Sequence, residues 1–386
     1  MKRVGISLDW VRRWAPVLVA TASALTFLYY AAAWFAESHP RWKRHIRLLW
    51  LSLCLWLGAG IALADLTVAE MFPPKLVNWI EATGLLVVIF SFSAFGVAWC
   101  GRIRPEKLNP GRRRLLGTLR AAVVAAPAAM TGYGVFLERH RVRLAEIPLA
   151  MPGLPPALNG LRIVQLSDMH RSAFYSRADL DRAVAMANEA RPHLIVVTGD
   201  LITRRGDPLD DCLNSLSRLR AEAGVFGCLG NHEVYAACQN YATAEGRKRG
   251  IRFLRQESQV LEFGGARLNL CGVDYQRLSS PYLVGAEAMV RPDAFNLLLS
   301  HNPDVFPVAQ KQGFHLTLSG HTHGGQINVE ILSENLNLAR FFTPYVLGEY
   351  RKENSVAYVT PGLGTVGVPI RLGVPPEVTL IRLCAS

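Results

Sequence analysis

The strongest constraint in this chain is a repeated handover, in which five short apolar runs each end in a cluster of potential metal ligands. The runs are Leu161–Leu166, Leu194–Val197, Val225–Leu229, Phe295–Leu299 and His315–Leu318. The clusters after them are Asp168-Met169-His170, Gly199-Asp200, Gly230-Asn231-His232-Glu233, Ser300-His301-Asn302-Pro303 and Gly320-His321-Thr322-His323-Gly324-Gly325-Gln326. Each run is long enough for a buried strand, so each cluster falls where a strand hands over to a loop. Polar residues at successive strand ends can converge on one edge of a sheet. Carboxylate and amide oxygens with imidazoles suit hard or borderline cations such as Mn²⁺, Fe or Zn²⁺, and no thiolate is present in the clusters to select softer ions. Such a chain is building a polynuclear metal site.

Between and after the clusters the pattern alternates. Ala178–Glu189 and Leu209–Ala221 space their apolar positions as helices do, whereas Val260–Phe263, Leu268–Val273, Val356–Thr360 and Val378–Leu383 read as strands. Helices early and a β-rich end predict two sheets packed face to face with helices outside. His193 lies inside a strand-like run and His315 opens another, which makes both packing or surface positions. The seven cysteines show no C-x-x-C pair and read as buried and unpaired.

The first 137 residues differ from the rest, because apolar residues crowd them. Four stretches, about 14–36, 48–64, 82–99 and 121–137, predict transmembrane helices, the second and fourth at the lower limit of length. Trp14, Trp34, Trp50, Trp79 and Trp99 lie at or near their ends, as interfacial aromatics do. A signal peptide is a poorer reading of the first stretch, which is too long and lacks a clean cleavage site. Residues 1–138 are thus expected to form a membrane domain and 139–156, rich in Pro and Gly, a linker. Residues 157–386 are then the catalytic domain, large enough to bury a core without staples.

The net charge of +12 does not point to nucleic acid, because many cations lie between apolar stretches, at Arg41–Arg47 and Arg102–Arg114. There they set membrane orientation. The intervening loop, Asp65 to Glu81, is mainly acidic, which predicts cytoplasmic first and third loops and an extracytoplasmic catalytic domain. Lys2, Arg3, Arg12 and Arg13 argue the other way. Nothing in the sequence sets an oligomeric state.

The five clusters form blocks D-x-H, G-D, G-N-H, H and G-H-x-H, in order, over about half the chain. This set resembles the calcineurin-like metallophosphoesterase superfamily, and the GHTHGGQ ending behind apolar stretches is similar to its bacterial, membrane-attached YkuE-type branch. The resemblance implies a four-layer α/β/β/α sandwich with two divalent metal ions (Mn, Zn or Fe) at one edge. It assigns Asp168, His170 and His323 to the first metal, Asn231, His301 and His321 to the second, and Asp200 to both. Two such ions can clamp a phosphoryl group and hold a hydroxide for in-line attack. His232 would then face the substrate, stabilising the phosphorus centre or protonating the leaving oxygen. Gly324 and Gly325 are expected to let the backbone pass close to the metals.

The expected protein is therefore a membrane-anchored phosphoesterase acting on a phosphate mono- or diester, lipid-linked or from the cell envelope, beside the bilayer. A non-catalytic sensor or scaffold with this fold would be expected to lose ligands, and none is missing. A nuclease would be expected to carry a long basic stripe, which 151–386 lacks.

Overall fold

In a computed structural model of the chain, residues 22, 23, 25–34, 36, 37, 40–63, 72, 73, 76–80, 82–84, 109–277, 281–331 and 334–386 are described. The chain divides into two compact units, Met1–Gly132 and Tyr133–Ser386.

In the N-terminal part, α1 (Lys43–Leu63) overlaps the expected second span, and α2 (Pro110–Phe136) contains nearly all of the fourth. Lys43, Arg44 and Arg47 occupy the start of α1, and Arg112 to Arg114 the start of α2. Among the described residues, no helix is long and apolar enough to cross a membrane. The expected four-helix bundle is accordingly not seen among them. Span 82–99 lies outside the described residues apart from 82–84, and 14–36 is described only in part.

The second unit is a mixed α/β sandwich. Strands β1 (Arg143–Met151), β2 (Arg162–Leu166), β3 (Leu194–Thr198), β4 (Val225–Cys228) and β5 (Ile251–Phe253) enter a first sheet. Strands β6 (Glu257–Phe263), β7 (Ala266–Gly272), β8 (Phe295–Leu299) and β9 (Leu316–Ser319) build a second. A hairpin of β10 (Asn328–Ile331) and β11 (Glu334–Asn337) follows, then β12 (Gly348–Lys352) and β13 (Ser355–Val359) rejoin the second sheet. Finally β14 (Glu377–Ala385) returns to the first. The strand orders are β1-β14-β2-β3-β4-β5 and β12-β13-β9-β8-β7-β6.

Alternation along each central strand explains the layering. In β3, Leu194 and Val196 face the core between the sheets, while Ile195 and Val197 face the opposite core under α3 (Arg177–Glu189) and α4 (Leu209–Leu216). In β8, Leu297 and Leu299 enter the inter-sheet core, while Leu298 packs outward with Ala309 of α7 (Phe306–Gln312). Both faces being buried, these strands are continuous apolar runs rather than alternating ones. Two further helices, α5 (Asn231–Tyr235) and α6 (Gln239–Lys248), follow β4. The result is helices, sheet, sheet, helix. Strands β2 to β5 run parallel, as do β7, β8, β9 and β13, so in each set the carboxyl ends share one edge.

The segment 139–156 is not a linker. Its residues 143–151 form β1, which pairs in parallel with β14 and buries Leu149 and Met151 completely. Pro148 hid this strand in the sequence, yet β1 lies at the sheet edge, where a residue without an N–H is tolerated. The expected strands near 260, 270, 357 and 380 are present as β6, β7, β13 and β14. Cys212, Cys228 and Cys271 are buried and unpaired, and Cys100 lies outside the described residues.

Candidate metal centre

Each cluster lies where its strand ends. Asp168 and His170 follow β2, Asp200 follows β3, and Asn231 and His232 open α5 just after β4. From the second sheet, His301 follows β8, and His321 and His323 follow β9. Three sets of side chains bring ligand atoms within 4.8 Å of one another: Asp168, His170 and His323; His170, Asp200 and His232; and Asp200, His301 and His321. Asp200 Oδ2 lies 3.0 Å from His301 Nε2 and 3.5 Å from His170 Nε2. Asp168 Oδ1 lies 3.5 Å from His323 Nε2. His321 Nδ1 is 3.2 Å from His301 Nε2. Six of the seven expected ligands converge in these sets, which also take in His232; Asn231 opens α5 beside it, and of these eight residues only His321 and His232 are not buried.

The backbone is bent to achieve this. Asp168, His170, Asp200, His321 and His323 have φ of 52°, 44°, 55°, 75° and 53°, in the left-handed region. Such conformations cost about 1–3 kcal/mol each in residues with a side chain, and persist where the surroundings impose them. Two glycines are required by close approach. A Cβ on Gly230 would fall 2.1 Å from Asp200 Oδ1, and one on Gly320 2.2 Å from Asp168 Oδ2. Gly324 and Gly325 play a different part from the one expected: a Cβ there would meet Val374 and Asn337 rather than a ligand.

Hydrogen bonds orient the imidazoles. His301 Nδ1 lies 2.7 Å from the Thr198 carbonyl, to which it donates, leaving Nε2 directed at Asp200. His170 Nδ1 contacts Thr203 Oγ1 at 3.2 Å, and its Nε2 lies 3.1 Å from His323 Nε2. His232 donates from Nδ1 to the Thr203 carbonyl, and its Nε2 lies 3.9 Å from Asp200 Oδ2.

Burial and neighbouring charges separate the two carboxylates. Burial pushes Asp168 up to about 6, against the pull of His301. Burial acts on Asp200 in the same sense, yet imidazoles led by His301 hold it well below the usual carboxylate range. Burial holds His170 and His323 well below the ordinary imidazole value, and it takes His321 down to about 3 with help from His301. These three rings are neutral and carry a free lone pair. His301 is the exception: burial opposes its charge, but Asp200 overrides it and raises the ring to about 10. A cation at its Nε2 would displace that proton.

The donor set fits a divalent metal pair. Asn231 is buried, and its Oδ1 has no hydrogen-bond partner. Gln165 Oε1 and Asn269 Oδ1 also lack a partner, but Asn231 alone of these opens a helix next to His232 and the ligand sets, where a cation is the kind of partner that would satisfy it.

Several residues of the site carried no signal by type alone. Glu233 is fully buried and accepts hydrogen bonds from the backbone N–H groups of Asp200 (3.0 Å), Leu201 (2.7 Å) and Gly230 (2.7 Å). One carboxylate thus ties the loop after β3 to the loop after β4. Gln165, the one polar side chain in its strand's buried stretch, donates to Thr198 Oγ1 (3.0 Å) and to the Ser319 carbonyl (2.9 Å), linking the sheets. Its presence inside an apolar run was the available clue. Arg371 is fully buried; its guanidinium donates to the carbonyls of Gly364, Pro361 and Val374, with Nη2 3.4 Å from His323 Nδ1. Tyr275 places its ring 5.8 Å from that of His321. His193 and His315 are structural, each accepting a backbone N–H at 2.9 Å from Arg162 and Asn296 respectively.

The sequence profile of the calcineurin-like phosphoesterase family matches residues 161–325, which contain every ligand named above. The uncharacterised metallophosphoesterase YkuE of Bacillus subtilis is 30% identical over 281 residues, covering 70% of this chain and 96% of that protein. A transmembrane protein with metallophosphoesterase domain from Danio rerio is 31% identical over 316 residues, 77% of this chain and 71% of its own. An uncharacterised Helicobacter pylori metallophosphoesterase is 26% identical over 386 residues, 95% of this chain and 98% of its own. The chain belongs to the calcineurin-like phosphoesterase family, in its YkuE-type branch.

Proposed function

We propose that this protein is a divalent-metal-dependent hydrolase of phosphate esters, attached to a membrane through residues 1–138. The observation that carries the reading is the convergence of Asp168, His170, Asp200, His301, His321 and His323 from four strand ends, together with the unsatisfied oxygen of Asn231, which opens α5 after a fifth. Asp168, His170 and His323 would hold one ion, Asn231, His301 and His321 the other, and Asp200 both. Asp200 suits the shared position because its carboxylate belongs to two of the ligand sets. When bound, two divalent ions would supply Lewis-acid charge to a phosphoryl group and activate water.

The remaining chemistry falls to side chains. Glu233 fixes the loops that carry Asp200 and Asn231. The Thr198 and Thr203 carbonyls fix the tautomers of His301 and His232, and the Thr203 hydroxyl helps orient His170. His232, more exposed than His170 and His301 and with Nε2 3.9 Å from Asp200 Oδ2, would carry a proton to the leaving oxygen.

The membrane reading is supported by a relative described as a transmembrane protein and by exposed apolar side chains on α1, among them Leu48, Leu49, Leu51 and Leu55. The basic first and third loops favour an extracytoplasmic catalytic unit, and a site beside the bilayer favours a lipid-linked mono- or diester. A reporter fused after Ser386 tests the topology: activity outside the cytoplasm is expected, and cytoplasmic labelling would reverse it. For the reaction, hydrolysis of an aryl phosphate by the purified full chain should require divalent metal.

A further inference from the structure

The segment that follows the His321–Gly325 turn leaves two consecutive phenylalanines in solvent. Phe341 and Phe342 are 84% and 82% exposed, the highest values among the large apolar side chains of the described residues. The backbone around them is pinned. The Asn337 side chain donates to the Gly324 carbonyl (2.8 Å) and accepts from Ala339 N–H (3.0 Å). Phe342 N–H donates to the Ala339 carbonyl at 2.9 Å, and the next residue, Thr343, donates its hydroxyl to Asp304. The pair is therefore displayed by a held turn attached directly to the ligand loop.

A second apolar outcrop lies elsewhere in the same unit. At the end of α2, Phe136 and Leu137 are 73% and 62% exposed. A strap, residues 370–373, holds this segment: Arg371 N–H donates to the Gly134 carbonyl (3.2 Å) and Gly373 N–H to Glu138 (3.1 Å). On its other side, Leu372 N–H donates to Gln326 (3.0 Å) and Asn328 N–H to Leu372 (2.8 Å). Each outcrop has an exposed arginine beside it, Arg340 or Arg141. Aromatic rings next to cations match the layered chemistry of a bilayer surface, with acyl chains below and anionic headgroups above. That charge complementarity favours lipid over a second protein.

We propose that Phe341 and Phe342, with Arg340, form a tip that inserts among anionic lipids and holds the ligand cluster at the bilayer surface. The proposal rests on the membrane attachment above, and it adds a contact made by the catalytic unit itself.

The test uses the full chain in vesicles of phosphatidylethanolamine and phosphatidylglycerol, with benzoylphenylalanine replacing Phe341. A control carries the same group in place of Tyr241 on α6, which is 49% exposed. On irradiation, the protein labelled at 341 should gain the mass of one phospholipid, and the control should not. No lipid adduct at 341, equal adducts at both positions, or a covalent dimer in place of the adduct would each overturn the proposal. The double variant Phe341→Ser/Phe342→Ser should hydrolyse an aryl phosphate in detergent at the parental rate, since neither ring touches the ligands. If the parent itself hydrolyses no phosphate ester, the phosphoesterase reading fails, while the lipid adduct still decides the docking tip.

Discussion

The two sheets contribute different chemistry to one site. The first supplies oxygen donors, Asp168, Asp200 and Asn231, with a single imidazole, His170. The second supplies imidazoles alone, His301, His321 and His323. His170, Asp200 and His232 of the first sheet already bring three ligand atoms together, but the other two sets each need at least one ring from the second, so the whole candidate centre is a property of the packing between sheets. Polar contacts cross the interface at the same edge: Gln165 to Ser319, His301 to Thr198, and His321 N–H to the Asp168 carboxylate at 3.1 Å. Electrostatics distinguish two carboxylates within the first sheet. Asp200, surrounded by rings from both sheets, is held ionised, whereas Asp168 is pushed up by burial. The lesson is that the sheet interface stores the geometry of the candidate ligands, so that disturbing either face of it would reach them.

Substitutions can break this comparison, and the largest effect should come from the residue both sets share. Asp200→Asn replaces a carboxylate by an amide with one acceptor oxygen. It should empty both metal positions and reduce turnover beyond the roughly 10²–10⁴-fold attributed to a general acid. Elemental analysis beside the rate checks it; loss of one ion alone would remove Asp200 from the shared position.

His232→Ala should leave both ions bound and slow turnover by roughly 10²–10⁴-fold. The loss should be smaller for a nitrophenyl ester, whose leaving group needs no proton. Metal loss in this variant would make His232 a ligand, and equal slowing for all substrates would assign it to charge stabilisation.

Glu233→Gln acts only on the first sheet's loops. It should weaken metal affinity by roughly 10–100-fold, the usual effect of a group that supports ligands. Metal titration of the folded variant gives the number, and unchanged affinity would confine Glu233 to stability.

The smallest effect on chemistry, and the sharpest on the comparison, comes from two core truncations. Leu297→Ala opens a cavity between the sheets, while Leu180→Ala opens one under the helices of the first sheet. Each should cost about 2–5 kcal/mol of stability. Only Leu297→Ala should also lower metal affinity, and equal affinities in the two would detach the site from the inter-sheet packing.

Much of this was legible in the sequence, for a physical reason. Parallel strands buried on both faces appear as plain apolar runs, and ligands placed directly after them need no further signal. Helix α3, the first part of the longer helix expected at 209–221, and strands β6, β7, β13 and β14 followed from periodicity, whereas the short helices α5 to α7 did not. What escaped notice acts through backbone groups or through position alone. Glu233 was visible as a letter but not as a clamp on three N–H groups. Arg371 comes from an irregular loop far along the chain, and only folding brings it beside His323. The strand β1 was hidden because Pro148 suggests a linker wherever edge position is unknown. Gly230 and Gly320, with Gly199 and Gly362, are crowded by ligands, unlike Gly324 and Gly325, which depends on where Asp168, Asp200 and His301 point.

The central claim is that ligands from both sheets bind metal together and that hydrolysis depends on it. The most direct measurement is metal content and aryl phosphate hydrolysis by the purified full chain, before chelation, after it, and after Mn²⁺, Zn²⁺ or Fe is restored. Two divalent ions per chain, loss of hydrolysis on stripping and its return with metal are the predicted results. Full activity in the metal-stripped protein would contradict the account.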